Sequence, residues 1–152
     1  MRLEVTRKAD LATRALLELA ALGRRAKSSE LAERLGTTPG FLSQVLSPLV
    51  ARGWVRSDPG PSGGYRLAVA ADEVSVLDVI EAVEGPTDTG RCVLEGRACG
   101  GGGLCALHVP WSQARTQLLA ELAGTPVSTL TASTSTLTTP HHDTPMTTED
   151  RP

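Results

Sequence analysis

Three cysteines and a histidine fall within one short stretch: Cys92, Cys99, Cys105 and His108. The gaps between the cysteines are six and five residues. Thiolates and imidazole are soft-to-borderline ligands that suit zinc or an iron–sulfur cluster. Structural zinc usually takes tighter cysteine pairs, roughly two to four residues apart. The wider gaps favour an iron–sulfur cluster over zinc, with a simple thiol redox switch third. Gly96, Gly100, Gly101, Gly102 and Gly103 lie between the cysteines. Glycine lets a chain wrap closely around a bulky group and offers bare N–H groups to inorganic sulfide. Closing such a loop costs on the order of 2 kcal/mol, and each ordered residue costs about 1–2 kcal/mol more. A metal site supplies on the order of 10 kcal/mol. The segment is therefore predicted to order only around metal, which is the physical form of a sensor. An odd number of crowded cysteines is not a disulfide framework.

Such a segment needs elements to hold it and elements to read it. Cys105 and His108 sit just before a helix predicted over residues 110–123, with Trp111, Ala114, Leu118 and Leu122 on one stripe. A helix N-terminus favours negative charge and lowers a thiol pKa. Upstream, Leu11, Ala12, Ala15, Leu16, Leu19 and Ala20 have helical spacing, predicting a helix over 6–22 that Gly23 stops. A second, short helix is predicted from Ser28 as N-cap, with Glu30 in its first turn and Gly36 at its end. Thr38 reads as the cap and Pro39 as the first residue of a third helix running to about Arg52. Its buried face is Phe41, Leu42, Val45, Leu46, Leu49 and Val50, and Ser43, Gln44 and Ser47 face outward. Pro48 is expected to kink it. Two short helices joined by a glycine-containing turn make a helix-turn-helix. Strands at Trp54–Ser57 and Tyr65–Val69, separated by the turn-rich stretch 58–64, make a β-hairpin directly after it. Ser75 caps a fourth helix through residue 84, with Val76, Val79, Ile80 and Val83 inward.

The net charge is -2, but it is unevenly spread. Residues 1–66 carry eleven Lys and Arg against six Asp and Glu, whereas residues 67–152 carry four against eleven. A basic N-terminal half suits an anionic partner. No apolar run reaches membrane-spanning length. Met1-Arg2-Leu3-Glu4 lacks a signal peptide's apolar stretch, so a cytoplasmic protein is expected. Aromatic residues make up 3%, so the core must be Leu, Val and Ala, a kind often extended by dimerisation. From Thr125 onward the 28 residues include 10 Thr, 3 Ser and 4 Pro, which reads as a disordered tail. His141 and His142 within it read as solvated.

Taken together these residues resemble the Rrf-two-type transcription regulators, nearest the iron–sulfur cluster regulator (IscR-type) branch. The resemblance rests on Met1-Arg2-Leu3, Gly60-Pro61-Ser62-Gly63-Gly64-Tyr65, the helix Val76 to Val83, the three cysteines, and the Cys105-x-x-His108-x-x-Trp111 pattern. It covers about residues 1–130. It implies a homodimer joined by the last helix, recognition helices in successive major grooves, and wings near the minor groove. It also implies a cluster whose state alters DNA affinity. A 2Fe–2S cluster would use Cys92, Cys99, Cys105 and His108. A related branch holds a 4Fe–4S cluster with three cysteines and an aspartate, a position that Asp10 matches; His108 is favoured. Two features depart from the pattern. The first cysteine gap is six rather than five, and Pro59 replaces a wing arginine, a contact that Arg56 or Arg66 would take over.

The expected fold is mainly α with a β-hairpin wing: a winged helix-turn-helix over 1–84, a cysteine-rich cluster loop over 85–108, a dimerisation helix over 109–124 and a tail over 125–152. The expected function is a DNA-binding transcription repressor under iron–sulfur control. Backbone-contacting candidates are Arg7, Arg56 and Arg66; base-edge candidates are Ser43 and Gln44 with Thr38 and Pro39 nearby. Trp111, Leu118 and Leu122 are expected in the dimer interface. The competing reading is a zinc-stabilised winged-helix module that binds protein. No second catalytic constellation accompanies the cysteines, so an enzyme is not expected.

Overall fold

A computed structural model describes residues 4–87, 91, 94 and 105–132. Helix α1 spans Arg7–Leu22. The Thr6 side chain caps it by accepting from the Ala9 N–H, and Gly23 closes it in the left-handed conformation (φ 59°). Helix α2 spans Ser28–Leu35 and ends at Gly36 (φ 64°). The expected cap at Ser28 is off by one: Ser28 is the first helical residue, and Lys27 stands at the cap with no side-chain hydrogen bond. Helix α3 spans Pro39–Ala51, capped as expected by Thr38 with Pro39 in the first turn. Pro48 is tolerated inside it, and its carbonyl accepts from the Arg52 N–H at 3.0 Å.

Strands β1 (Val55–Asp58) and β2 (Gly64–Leu67) pair antiparallel, with Val55 opposite Leu67 and Arg56 opposite Arg66. Both are shifted by one or two residues from the expected bounds. A reciprocal pair of 2.8 Å backbone bonds between Ala26 and Tyr65 ties β2 to the chain just before α2. This approach requires glycine at residue 64, where an added Cβ would lie 2.2 Å from the Ala26 carbonyl oxygen. Gly63 is equally constrained, since a Cβ added there would lie 2.1 Å from the Asp58 carbonyl oxygen. Helix α4 spans Val76–Glu84 and opens with a full capping box between Ser75 and Asp78. Helix α5 spans His108–Ala123.

One core holds these elements together. Leu16, Leu19, Leu31, Leu42, Leu46 and Leu49 are its largest leucines, joined by Val45, Val55, Val74 and Val79. The expected tail needs correction at its start. Residues 125–132 fold back on the domain and include a short 3-10 helix, Val127–Ala132. Thr125 accepts from the Val76 N–H at 2.9 Å, and the Val127 N–H donates to Val74 at 2.8 Å. Val127 is fully buried. A threonine-rich composition disfavours a core, but one apolar side chain with two backbone partners is enough to seat this strap. Residues 133–152, including His141 and His142, lie outside the described residues.

Val127→Ala removes two buried methyl groups and is expected to lower stability by roughly 2 kcal/mol. Urea denaturation would measure it; a change within about 0.5 kcal/mol, typical of surface sites, would mean the strap is not seated.

Candidate functional site

The start of α2, the start of α3 and the wing turn surround one open cleft of about 480 Å³, lined among others by Lys27, Ser28, Ser29, Pro39, Pro59, Gly60 and Tyr65. Thr38, Pro39, Ser43 and Gln44 are all exposed. The amphipathic spacing of α3 fixes this, because Leu42, Val45, Leu46 and Leu49 occupy its buried face. The four base-edge candidates therefore share the outer surface near the N-terminus of α3. The wing is pinned to the same side. Arg25 donates to the Ser62 carbonyl at 3.2 Å and lies 3.0 Å from Asp58 Oδ2. That ion pair is a Coulombic contact, since the buried Oδ2 has no aligned donor among the described residues.

The cations divide into two groups. Arg14 pairs with Asp10, Arg24 with Glu30, and Arg34 with Glu18 and Glu30. Hydrogen bonding from Arg24 holds the Glu30 carboxyl below its usual range. Arg7, Lys27, Arg56 and Arg66 have no ion pair among the described residues. Arg56 and Arg66 stand directly opposite each other on the wing. Like charges in that position are destabilising, and an anion between them would reverse the sign. Sequence reasoning missed Lys27 by placing Ser28 at the cap. Arg52 lies over the Trp54 ring, 5.9 Å from its centroid.

At the other end of the chain, Cys105 and His108 occupy one turn. The His108 N–H donates to the Cys105 carbonyl at 3.0 Å, and both residues are half-buried. Cys92 and Cys99 lie outside the described residues. Among the described residues no three His, Cys, Asp or Glu side chains form a metal-binding group. Asp10, the alternative fourth ligand, is exposed in the first turn of α1, 3.8 Å from Arg14. Trp111 and Leu122 are half-exposed and Leu118 is 45% exposed; α5 buries no residue against its own chain. One contact had no signal in the sequence. Glu81 Oε1 accepts from both the Thr87 hydroxyl (2.6 Å) and the Thr87 N–H (3.1 Å). These bonds hold the Glu81 carboxyl below the usual carboxylate range, against the opposing effects of burial and of Asp78.

A short helical hairpin followed at once by a pinned two-stranded wing defines a winged helix-turn-helix protein. Comparison with known proteins specifies the kind. The family described as Rrf2, iron-dependent transcriptional regulator, matches residues 5–133. The chain is 36% identical over 112 residues to the HTH-type transcriptional regulator IscR of Vibrio atlanticus, covering 72% of this chain and 64% of that protein. Against the regulator of the same name from Aliivibrio salmonicida it is 33% identical over 125 residues, covering 80% and 73%. The structure of CymR, the global cysteine regulator of B. subtilis, shares the fold with a TM-score of 0.71 at 23% identity, covering 87% of this chain and 98% of that one. The chain thus spans about two thirds of the length of these curated relatives. It belongs to the Rrf2 family of transcription regulators, and is not an enzyme.

A lowered carboxyl pKa in the fold means that Glu81 stabilises when ionised. Its contribution is present above the unfolded carboxyl's pKa and is lost as pH falls through the lowered folded value. The stability difference between wild type and Glu81→Gln is therefore expected to be widest near neutral pH and to close below about pH 4. Denaturation midpoints across pH would show it, and a gap that widens in acid would contradict it.

Proposed function

We propose that this chain is a DNA-binding repressor whose affinity for its operator is controlled by an iron–sulfur cluster. The observation that carries the reading is the shared surface of exposed α3 residues and unpaired cations beside the wing. Ser43 and Gln44, with Thr38 and Pro39, would meet base edges in the major groove. Arg7, Lys27, Arg56 and Arg66 would meet phosphates, which position the protein without reading sequence.

The donor set fits a cluster. Cys105 and His108 already share a turn at the head of α5, and Cys92 and Cys99 complete three thiols and an imidazole. A bound cluster would supply an ordering centre for the cysteine segment, with a state that responds to iron or oxidant. His108 is the favoured fourth ligand for 2Fe–2S, and Asp10 would serve a 4Fe–4S cluster instead. The chain would act as a cytoplasmic homodimer, with Trp111, Leu118 and Leu122 of α5 in the interface. Among the described residues no helix is long and apolar enough to cross a membrane.

Protein purified without oxygen should be brown, with iron and sulfide in equal amounts. About two of each per chain would indicate the His108 arrangement and about four the Asp10 arrangement. A colourless protein carrying zinc, or nothing after reconstitution, would overturn the cluster and favour the zinc-stabilised module. Operator affinity should fall about a thousandfold or more between roughly 50 and 200 mM salt, because a dimer would neutralise several phosphates; a flat response would refute the footprint. Leu118→Asp should sediment as a monomer.

A further inference from the structure

The chain returns to α4 both before the cysteine segment and after α5. At the far end the strap after α5 bonds to Val74 and Val76, at the helix's N-terminus. At the near end Thr87 bonds back to Glu81 with two hydrogen bonds. The end of α4 is also tied to α1. Lys8 Nζ donates to the Val83 carbonyl at 3.2 Å, and the Thr6 hydroxyl donates to Glu84.

Gly85 makes the near-end contact consequential. The chain leaves α4 through Gly85 at φ 91° and ψ -179°, a conformation open to glycine and to few other residues. Left alone, Gly85 is a swivel, and a displacement arriving at Thr87 would be spent in turning it. With Thr87 fastened to Glu81, one turn inside the helix, the swivel is bridged. A displacement then moves α4 as a body. Helix α4 packs on both α1 and α3, and Val79 and Val83 belong to the same core as Leu42, Leu46 and Leu49.

We infer that Glu81 is a positioning residue that couples the cysteine-bearing segment to the recognition helix α3, through its paired hydrogen bonds to Thr87. This rests on the proposed function, in which metal sets the state of that segment. A segment can bias α3 only by contacts that differ between its two states, and this latch is the first side-chain contact back to the helix after Gly85.

The test uses the full chain. Glu81→Ala places the best helix former on a partly exposed helical site, and Thr87→Val removes the hydroxyl from the other side. Operator affinity is measured for protein reconstituted with iron and sulfide and for metal-free protein, and amide exchange is followed at Thr87. In both variants iron content and metal-free affinity should match wild type. Exchange at Thr87 should quicken by on the order of tenfold in Glu81→Ala. The ratio of metallated to metal-free affinity should shrink roughly fivefold or more in both variants. Thr87→Ser should keep the wild-type ratio, and Glu81→Gln, an uncharged acceptor, should fall between. A wild-type ratio in Glu81→Ala and Thr87→Val would overturn the coupling alone. A wild-type protein whose affinity ignores metal would overturn the proposed function and the coupling with it.

Discussion

The pairing of Val74 and Val76 with Val127 and Thr125 is the constraint on which the remaining architecture depends. Two backbone bonds of 2.8 and 2.9 Å and one fully buried valine close the chain on itself after α5. Without that closure α5 would be held to the described domain only by its packing on α4. With it, the C-terminal end of α5 is fixed beside the capped start of α4, and its N-terminal end carries Cys105 and His108. The strap also lies against the chain that returns from the wing, since Ser128 donates to Ala71 at 3.2 Å. Wing, α4 and α5 thus meet at one junction built largely from main-chain hydrogen bonds, which tolerate little rearrangement without leaving buried polar groups unpaired.

The wing follows an opposite logic, in which local stability is given up. Neither Arg56 nor Arg66 has an ion pair among the described residues, and the two stand opposite each other. Such a pair costs a few tenths of a kcal/mol in a free sheet. Elsewhere in the basic half the same chain neutralises its arginines carefully, with Arg24 on Glu30 at 2.6 Å and Arg34 shared between two glutamates. The contrast between the paired Arg14, Arg24 and Arg34 and the unpaired arginines of the wing supports an anionic partner at the wing. The reciprocal Ala26–Tyr65 bonds keep the wing in place despite that repulsion, and Gly64 allows the two strands of chain to approach closely enough to form them.

Helices α1, α3 and α4 were legible because each had both a period and a punctuation mark. Thr6 and Gly23, Thr38 and Pro39, and Ser75 with Asp78 stand at helix ends in the structure. At α2 the start slipped by one residue, because serine is the better cap and lysine occupies the site. The strands slipped similarly, since a hairpin of four-residue strands offers too few alternations to fix a boundary. Among the site residues, the outward face of α3 followed directly from its inward leucines. The strap did not. Its composition is that of a tail, and Val127 gains its place from partners some fifty residues earlier in the chain. The Glu81–Thr87 latch was hidden for a related reason. It spans a helix end, where neither helical nor strand periodicity predicts which side chains meet. Cys92 and Cys99 lie outside the described residues, so their part in the site rests on residue chemistry and spacing.

Helix α5 supplies the last step. It has sixteen residues and buries none of them against its own chain. An isolated helix of about that length is marginal in water, because nucleation is costly and each residue adds little. Natural helices of this size draw their stability from a packed apolar face. Here Trp111 and Leu122 are half-exposed and Val109 and Leu118 are more open still. Burying a leucine or valine is worth about 1.5–3 kcal/mol, so apolar side chains left part-exposed forgo stability that a small domain can ill spare. Among the described residues of the single chain, nothing fully covers any side chain of α5. A second copy, as in the proposed homodimer, would cover it, since an isologous contact brings the same stripe to both sides. That arrangement would set two recognition helices at a fixed spacing, and it would join each cysteine segment to the element that holds the two readers apart.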